Sequence, residues 1–272
     1  MQKGLIPLYP DLTCLLISSN LVVLHLPKTS LQDLPTDFFH PDYQTLFVRA
    51  ITQEIIRTAH TATLTDNTIH IWKSPFYHQI QKPDKISVND DILGNNGFSD
   101  HDIAHIIRRI ILSVYLNCSP AEVIIQYDLL GRPSLKIPYC GLSISSSYTR
   151  SSWTLAISPV CAIGVDIEDI VDNPDLSKIS NRFFKKEESA YLSQVSEERK
   201  LLVWYQFWTV KEAYLKAMGS GFSGWEHLPD MTNVIEEYYN GNNGPIRIDT
   251  DYCAFLSDEG GSCLSVVFQE SE

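Results

Sequence analysis

Gly164-Val165-Asp166-Ile167-Glu168 is the stretch that decides how this chain is read. β-Branched residues at alternate positions mark a strand, and alternate side chains of a strand share a face. Val165 and Ile167 are therefore expected to enter a core, while Asp166 and Glu168 project together on the opposite side. Two ionised carboxylates side by side repel, and each is costly in a half-buried place unless a cation joins them. A hard divalent ion with oxygen ligands removes that cost. Mg²⁺ suits it best, because it takes few protein carboxylates and keeps places for water and phosphate. Taken alone, the segment reads at least as well as an edge strand with two solvated acids, so its surroundings have to decide.

Downstream, residues 197–218 are strongly periodic, with Leu201, Leu202, Tyr205, Trp208, Leu215 and Met218 as the expected core face of a helix closed by Gly219, Gly221 and Gly224. Trp208, Glu212 and Lys216 recur at i, i+4 and i+8 and so share one stripe. A Glu–Lys pair of this kind is commonly an ordinary surface pair, but a tryptophan is rarely left in water. The stripe therefore predicts the edge of a packed cleft. Between the two segments the pattern predicts one helix over 181–192.

Upstream lies an expected helix over 102–116, with Arg108 and Arg109 opposite its apolar face. Strands follow over 123–127, up to 137 after the turn Gly131-Arg132-Pro133, over 142–148 and over 153–158, the last joined to 164–167. Further out are a strand in 21–26, a helix over 43–58, a strand over 68–72 and a polar loop over 82–102. The chain ends in a loop and strands, the last over 262–268. This order predicts an α+β protein of two similar halves. The expected divisions are an N-terminal extension of unassigned role over 1–66, a first half over 67–160, and a second half over 161–272 that carries the metal site.

With 33 acidic against 21 basic residues the chain carries −12, which argues against broad binding of nucleic acid or anionic membrane. A polyanionic ligand would need a local basic patch or a metal ion. The six cysteines form no CxxC pair and read as reduced thiols of a cytoplasmic protein. The apolar stretch 12–26 is too short and polar to span a bilayer and lacks a basic leader, so neither a membrane span nor a signal peptide is expected.

Together, the Gly-Val-Asp-Ile-Glu strand and the Trp208-Thr209-Val210-Lys211-Glu212-Ala213-Tyr214-Leu215-Lys216 helix resemble the 4′-phosphopantetheinyl transferase superfamily, in its Sfp-like, two-half branch. Phe183-Phe184-Lys185-Lys186-Glu187-Glu188 is similar to the family's Phe-Phe-x-x-x-Glu segment, and Gly131-Arg132-Pro133 to its Gly-Lys/Arg-Pro turn. Ser143-Ile144-Ser145-Ser146-Ser147 stands where the family has Asn/Ser-Ile/Leu-Ser-His-Ser. The resemblance covers about residues 68–272 and leaves out 1–66.

The resemblance implies halves packed about a pseudo-twofold axis, a monomer, and transfer of 4′-phosphopantetheine from coenzyme A to a serine of an acyl or peptidyl carrier protein. It implies Asp166, Glu168 and Glu212 as Mg²⁺ ligands and Lys216 against the phosphate near the breaking bond. Arg132, Ser145 and Ser146 would hold the 3′-phosphoadenosine end. Glu212 and Glu188 are both candidates for the base that takes the serine proton. Two departures stand out. Ser146 replaces the histidine that holds the 3′-phosphate in the family, exchanging a charge-assisted bond for a neutral one. The basic stretch expected before the first long helix is here the acid- and asparagine-rich 88–102, with Lys82 and Lys85 the only nearby cations and Arg108 and Arg109 as further help. A non-catalytic relative serving as a binding partner, or another Mg²⁺-dependent phosphate chemistry, remain the alternatives. For a carrier, the expected docking patch is Lys178, Arg182, Lys185 and Lys186.

Overall fold

The structure, a computed structural model, describes residues 14–18, 21–25, 68–75, 100–136, 141–159, 162–173, 175–258 and 261–270. The expected helix over 43–58 and nearly all of the expected loop over 82–102 lie outside the described residues.

Eleven described strands and five α-helices alternate in a mixed α+β architecture. Strands β1 (Cys14–Ser18), β2 (Leu21–His25), β3 (Ile69–Pro75), β6 (Ser143–Tyr148) and β7 (Ser152–Ser158) form one sheet in the order β1-β2-β3-β7-β6. Strands β8 (Ile163–Asp169), β9 (Ile246–Arg247), β10 (Tyr252–Ser257) and β11 (Ser262–Gln269) form a second, antiparallel sheet in the order β8-β11-β10-β9. A hairpin of β4 (Ile125–Tyr127) and β5 (Pro133–Leu135) stands apart from both.

Two expectations change here. The strands over 153–158 and 164–167 run on in sequence but belong to different sheets. The N-terminal stretch is also not separate from the first sheet, since β2 pairs with β3 in parallel and β1 extends the edge. Parallel pairing needs a long crossover, and residues 26–68 supply the length.

The second sheet shows the alternation expected of strands. Ile163, Val165 and Ile167 of β8, with Leu264, Val266 and Phe268 of β11 and Cys253 and Phe255 of β10, share a core with Ile69, Ile71 and Ala156 of the first sheet. The opposite face packs on α4 (Glu197–Met218). There Ala254, Leu256 and Val267 meet Phe207, Val210, Ala213, Tyr214 and Ala217.

Helix α4 has the expected ends, with Glu197 and Glu198 in its first turn, favourable against the helix dipole, and Gly219 at φ 68° as its left-handed cap. Its burial differs from the expected single face. Val203 to Phe207, Thr209 to Lys211, Ala213 to Leu215 and Ala217 are all buried, while Leu201 and Leu202 are half-buried and Met218 is exposed. The helix is a central rod covered on nearly every side, and the half-buried stripe Trp208–Glu212–Lys216 is where the cover parts.

The helix expected over 181–192 is two: α2 (Leu176–Phe183) and α3 (Lys186–Gln194). The chain extends at Phe184 and Lys185, which sends the Phe184 ring onto Trp204 and Phe207. In α1 (Asp100–Leu116), Arg109 is exposed and binds the Val123 carbonyl, whereas Arg108 is buried rather than facing solvent. Among the described residues no helix is long and apolar enough to cross a membrane.

Gly164 sets how closely β8 meets α4. A Cβ there would lie 1.9 Å from the Ala213 carbonyl oxygen and 2.5 Å from the Ala217 nitrogen, both backbone atoms that cannot swing aside. Gly164→Ala should therefore lower stability by about 1–3 kcal/mol or more, as overpacking does. A urea midpoint equal to wild type would contradict this packing.

Candidate active site

The close approach of β8 and α4 builds the site. Gly164, Asp166 and Glu168 lie on the face of β8 opposite Val165 and Ile167, toward α4. From α4, Lys216 reaches back across the gap: its Nζ lies 2.8 Å from Asp166 Oδ1 and donates to the Val165 carbonyl at 3.0 Å. Ser147 Oγ on β6 donates to the same Asp166 oxygen at 2.8 Å. Ser145 Oγ accepts the Val165 N–H at 3.0 Å, tying β6 to β8. Asp166 is 3% exposed, and its second oxygen, Oδ2, is buried without a hydrogen-bond partner. An unpaired buried carboxylate oxygen is expensive.

The neighbouring acids feel the same field. Glu168 is pushed up to about 7, first by burial and then by Asp166, with Lys216 opposing, Glu212 adding and the Trp208 indole hydrogen bond opposing. Glu212 is likewise pushed up to about 7 by burial and Asp166, against Lys216. The three carboxylates are thus electrostatically joined, yet they do not close into a cage. Among the described residues no three His, Cys, Asp or Glu side chains converge as a ready ligand set. The expected meeting of three acids around one cation is here a looser group, with the Lys216 ammonium on Asp166. The unpartnered Asp166 Oδ2 and two carboxyls displaced upward still mark a place short of positive charge. That donor set of oxygens fits a hard cation.

A cleft of about 220 Å³ opens beside this group, lined among others by Arg132, Ser145, Ser146, Glu212, Lys216 and Phe222. Arg132 comes from the β4–β5 turn, which Asp128 braces by accepting the Leu130 and Arg132 backbone N–H groups on Oδ1. Its guanidinium lies over Gly219, where a Cβ would stand 2.4 Å from Nη1, and Nη2 is 3.4 Å from the Ala217 carbonyl. Gly219 thus serves twice, as left-handed cap and as the bare floor under Arg132. The cation sits where the α4 dipole is negative.

Glu188 is not brought to this cleft. It is fully buried at the start of α3, with Oε1 2.8 Å from Lys211 Nζ. Oε1 and Oε2 also accept the Met231 and Lys185 N–H groups. Lys211 is equally buried, with the Phe184 and Trp225 rings beside it. Removing one member of such a pair commonly costs about 3–5 kcal/mol, because the other charge is left stranded. Glu188 is therefore a brace between α3 and α4, neither a surface acid nor a group within reach of the cleft. In the expected basic patch, Lys178 pairs with Asp175 at 2.6 Å, Lys185 begins α3, and Arg182, over the Phe183 ring, and Lys186 are exposed.

The sequence pattern left Ser147, which orients Asp166, without a role, and it showed neither that Trp208 holds Glu168 nor that Arg108 donates to Ser146 Oγ at 3.2 Å. Only the run of serines on alternating faces of one strand hinted at the first.

A sequence model of the 4′-phosphopantetheinyl transferase superfamily matches residues 162–260, which span β8 and α4 and hence the carboxylates and Lys216. The chain is also 29% identical over 177 residues to the 4′-phosphopantetheinyl transferase HetI of Nostoc sp., covering 61% of this chain and 75% of that relative. Over these residues the chain is similar to the 4′-phosphopantetheinyl transferase superfamily. It is also similar to the 4′-phosphopantetheinyl transferases psf-1 of Bacillus pumilus, at 31% identity, and Sfp of Bacillus subtilis, at 25%. These alignments cover 43% and 44% of this chain, which spans about half the length of each relative, 48% and 52%.

A pH dependence follows from the two displaced carboxyls. Their folded values near 7 lie above the ordinary 4.5, so the metal-free fold holds protons that the unfolded chain has released. Their contribution is most favourable below about 4.5 and is lost as pH rises through 7. In EDTA, the urea midpoint of wild type should fall between pH 5.5 and 8 more steeply than that of the Glu168→Gln/Glu212→Gln double variant. A wild-type profile no steeper than the double variant's would contradict the coupling.

Proposed function

We propose that the chain transfers the 4′-phosphopantetheine arm of coenzyme A to a serine of an apo acyl or peptidyl carrier protein, releasing 3′,5′-ADP. The observation that carries this reading is the meeting of two distant segments: Lys216 of α4 stands 2.8 Å from Asp166 of β8, beside a cleft that also presents Arg132. The superfamily match over 162–260 and the printed names of the relatives support it.

In this reading the diphosphate of coenzyme A lies at the carboxylate end of the cleft. Asp166, through its free Oδ2, Glu168 and Glu212 would hold Mg²⁺, which when bound neutralises diphosphate charge and eases departure of the nucleotide. The carrier serine Oγ forms a bond to the phosphorus that bears the pantetheine arm. The bond from that phosphorus to the bridging oxygen breaks, and the electron pair leaves on 3′,5′-ADP. Lys216 holds a fixed positive charge where negative charge grows. Of the two candidate bases, Glu212 has the position for the serine proton, because it lines the cleft while both Glu188 oxygens are bonded in the interior. Trp208 holds Glu168, and Ser147 and Lys216 hold Asp166, so each carboxylate is oriented before the substrate arrives.

The pairing of two halves about a pseudo-twofold axis belongs to the same reading. Its support is that each sheet carries one long helix, α1 reaching β3 through Tyr115, which bonds His70 and Trp72, and α4 covering β8 and β11. Lys178, Arg182 and Lys186 are exposed toward an acidic carrier, Lys178 in a pair with Asp175. The test is incubation with a fluorescent coenzyme A analogue, Mg²⁺ and a panel of apo carrier proteins. Wild type should label at least one, and Asp166→Ala should lower the rate by about 100-fold or more with its circular dichroism unchanged. No labelled carrier, or full labelling by Asp166→Ala, would refute the proposal.

A further inference from the structure

The two oxygens of Asp166 are used unequally. Oδ1 takes both the Lys216 ammonium and the Ser147 hydroxyl, each at 2.8 Å, while Oδ2 is buried without a partner. The same ammonium donates to the Val165 carbonyl at 3.0 Å, so two oxygens of β8 anchor it. It is also the cation that opposes the upward displacement of Glu168 and Glu212. One lysine thus serves all three acids.

A divalent cation on Oδ2 would share a single carboxylate with that ammonium. Like charges so placed repel strongly where water is scarce, and Asp166 is only 3% exposed. The acids attract such a cation, and Lys216 subtracts from the attraction. The two partners differ in freedom, however. The Lys216 side chain is 31% exposed against 5% for Asp166, and it lines the cleft on a flexible stem. Asp166 is fixed in β8 and held by Ser147. A phosphate group in the cleft competes with Asp166 for the ammonium through charge-assisted hydrogen bonds, and it offers oxygens to a hard cation as well. The same lysine therefore opposes a cation that arrives alone and favours one that arrives with a phosphate.

We propose that Lys216 makes the site specific for a cation–phosphate pair: it keeps Asp166 from retaining a bare divalent ion and yields only when a phosphate ligand is present. The proposal rests on the transferase reading above and gives Lys216 a second use besides its charge at the breaking bond. The phosphate ligand draws Lys216 off Asp166, which leaves Asp166, Glu168 and Glu212 free to hold the cation.

The test is Mn²⁺ binding without carrier, so that no turnover is read. It is followed by loss of the free-ion electron paramagnetic resonance signal at about pH 8, where protons compete little. Wild type alone should bind Mn²⁺ weakly, and Lys216→Met should bind it about 10-fold or more tightly. Lys216→Arg, which keeps the charge, should stay within about threefold of wild type. Coenzyme A should tighten Mn²⁺ binding to wild type, after subtraction of the Mn²⁺ that free coenzyme A holds. Lys216→Met should reduce that enhancement by about 10-fold or more. Lys216→Gln repeats the comparison if Lys216→Met does not fold. A folded neutral variant that binds bare Mn²⁺ no more tightly than wild type would overturn the proposal, as would Lys216→Arg binding it as tightly as Lys216→Met. Either result would leave the transferase reading standing, because that reading is judged by carrier labelling. No Mn²⁺ bound by any of these proteins, with or without coenzyme A, would overturn both the proposal and the metal site of that reading.

Discussion

A strand and a helix can bring their backbones into contact only where one of them has no side chain. Here that place is Gly164, whose missing Cβ leaves room for the Ala213 carbonyl and the Ala217 nitrogen. Asp166 lies two residues beyond Gly164, on the same face. Glu212 and Lys216 flank the contact on the helix. The reach of Lys216 to the Asp166 carboxylate and the Val165 carbonyl depends on that closeness. A larger residue at 164 would push the helix out and separate the charges before any ligand could matter.

The electrostatics follow from the same geometry. Burial and mutual repulsion displace Glu168 and Glu212 upward, and one lysine cannot satisfy three acids. Lys216 and Ser147 both serve Oδ1 of Asp166, leaving Oδ2 with no partner. The cleft also presents Arg132, whose Nη2 is 3.4 Å from the Ala217 carbonyl and which has no carboxylate partner among the described residues. A phosphate ligand with one hard cation would relieve the shortage of positive charge at the acids. Away from the cleft, the Glu188–Lys211 pair shows the other use of buried charge, an ion pair at 2.8 Å that braces two helices.

Much of this was legible because it depends on local rules. The two-residue period of β8, the ends of α4 and the left-handed glycine after it all follow from spacing and capping. The face composition of α4 was not legible, because a helix buried on nearly all sides has no single apolar stripe to find, and an aromatic-rich sequence offers several. Arg108 read as a polar-face residue, and nothing local shows that Ser146 will meet it or that Glu188 will meet Lys211. The break at Phe184–Lys185 is likewise set by tertiary packing, the Phe184 ring being drawn onto Trp204 and Phe207. The split of β7 and β8 into separate sheets is a matter of pairing partners far along the chain. Gly131-Arg132-Pro133 was recognisable as a turn, but its placement over the end of α4 needed the fold.

The central claim is that the β8–α4 junction grips a diphosphate through a hard cation at Asp166. Mn²⁺ in place of Mg²⁺ makes this visible, because it broadens the ³¹P resonances of nearby phosphates in bound coenzyme A. With wild-type protein the diphosphate signals should broaden strongly and the ribose phosphate weakly, and Asp166→Asn should abolish the protein-dependent part. Equal broadening of all three phosphorus signals, or a pattern unchanged in Asp166→Asn, would contradict the account.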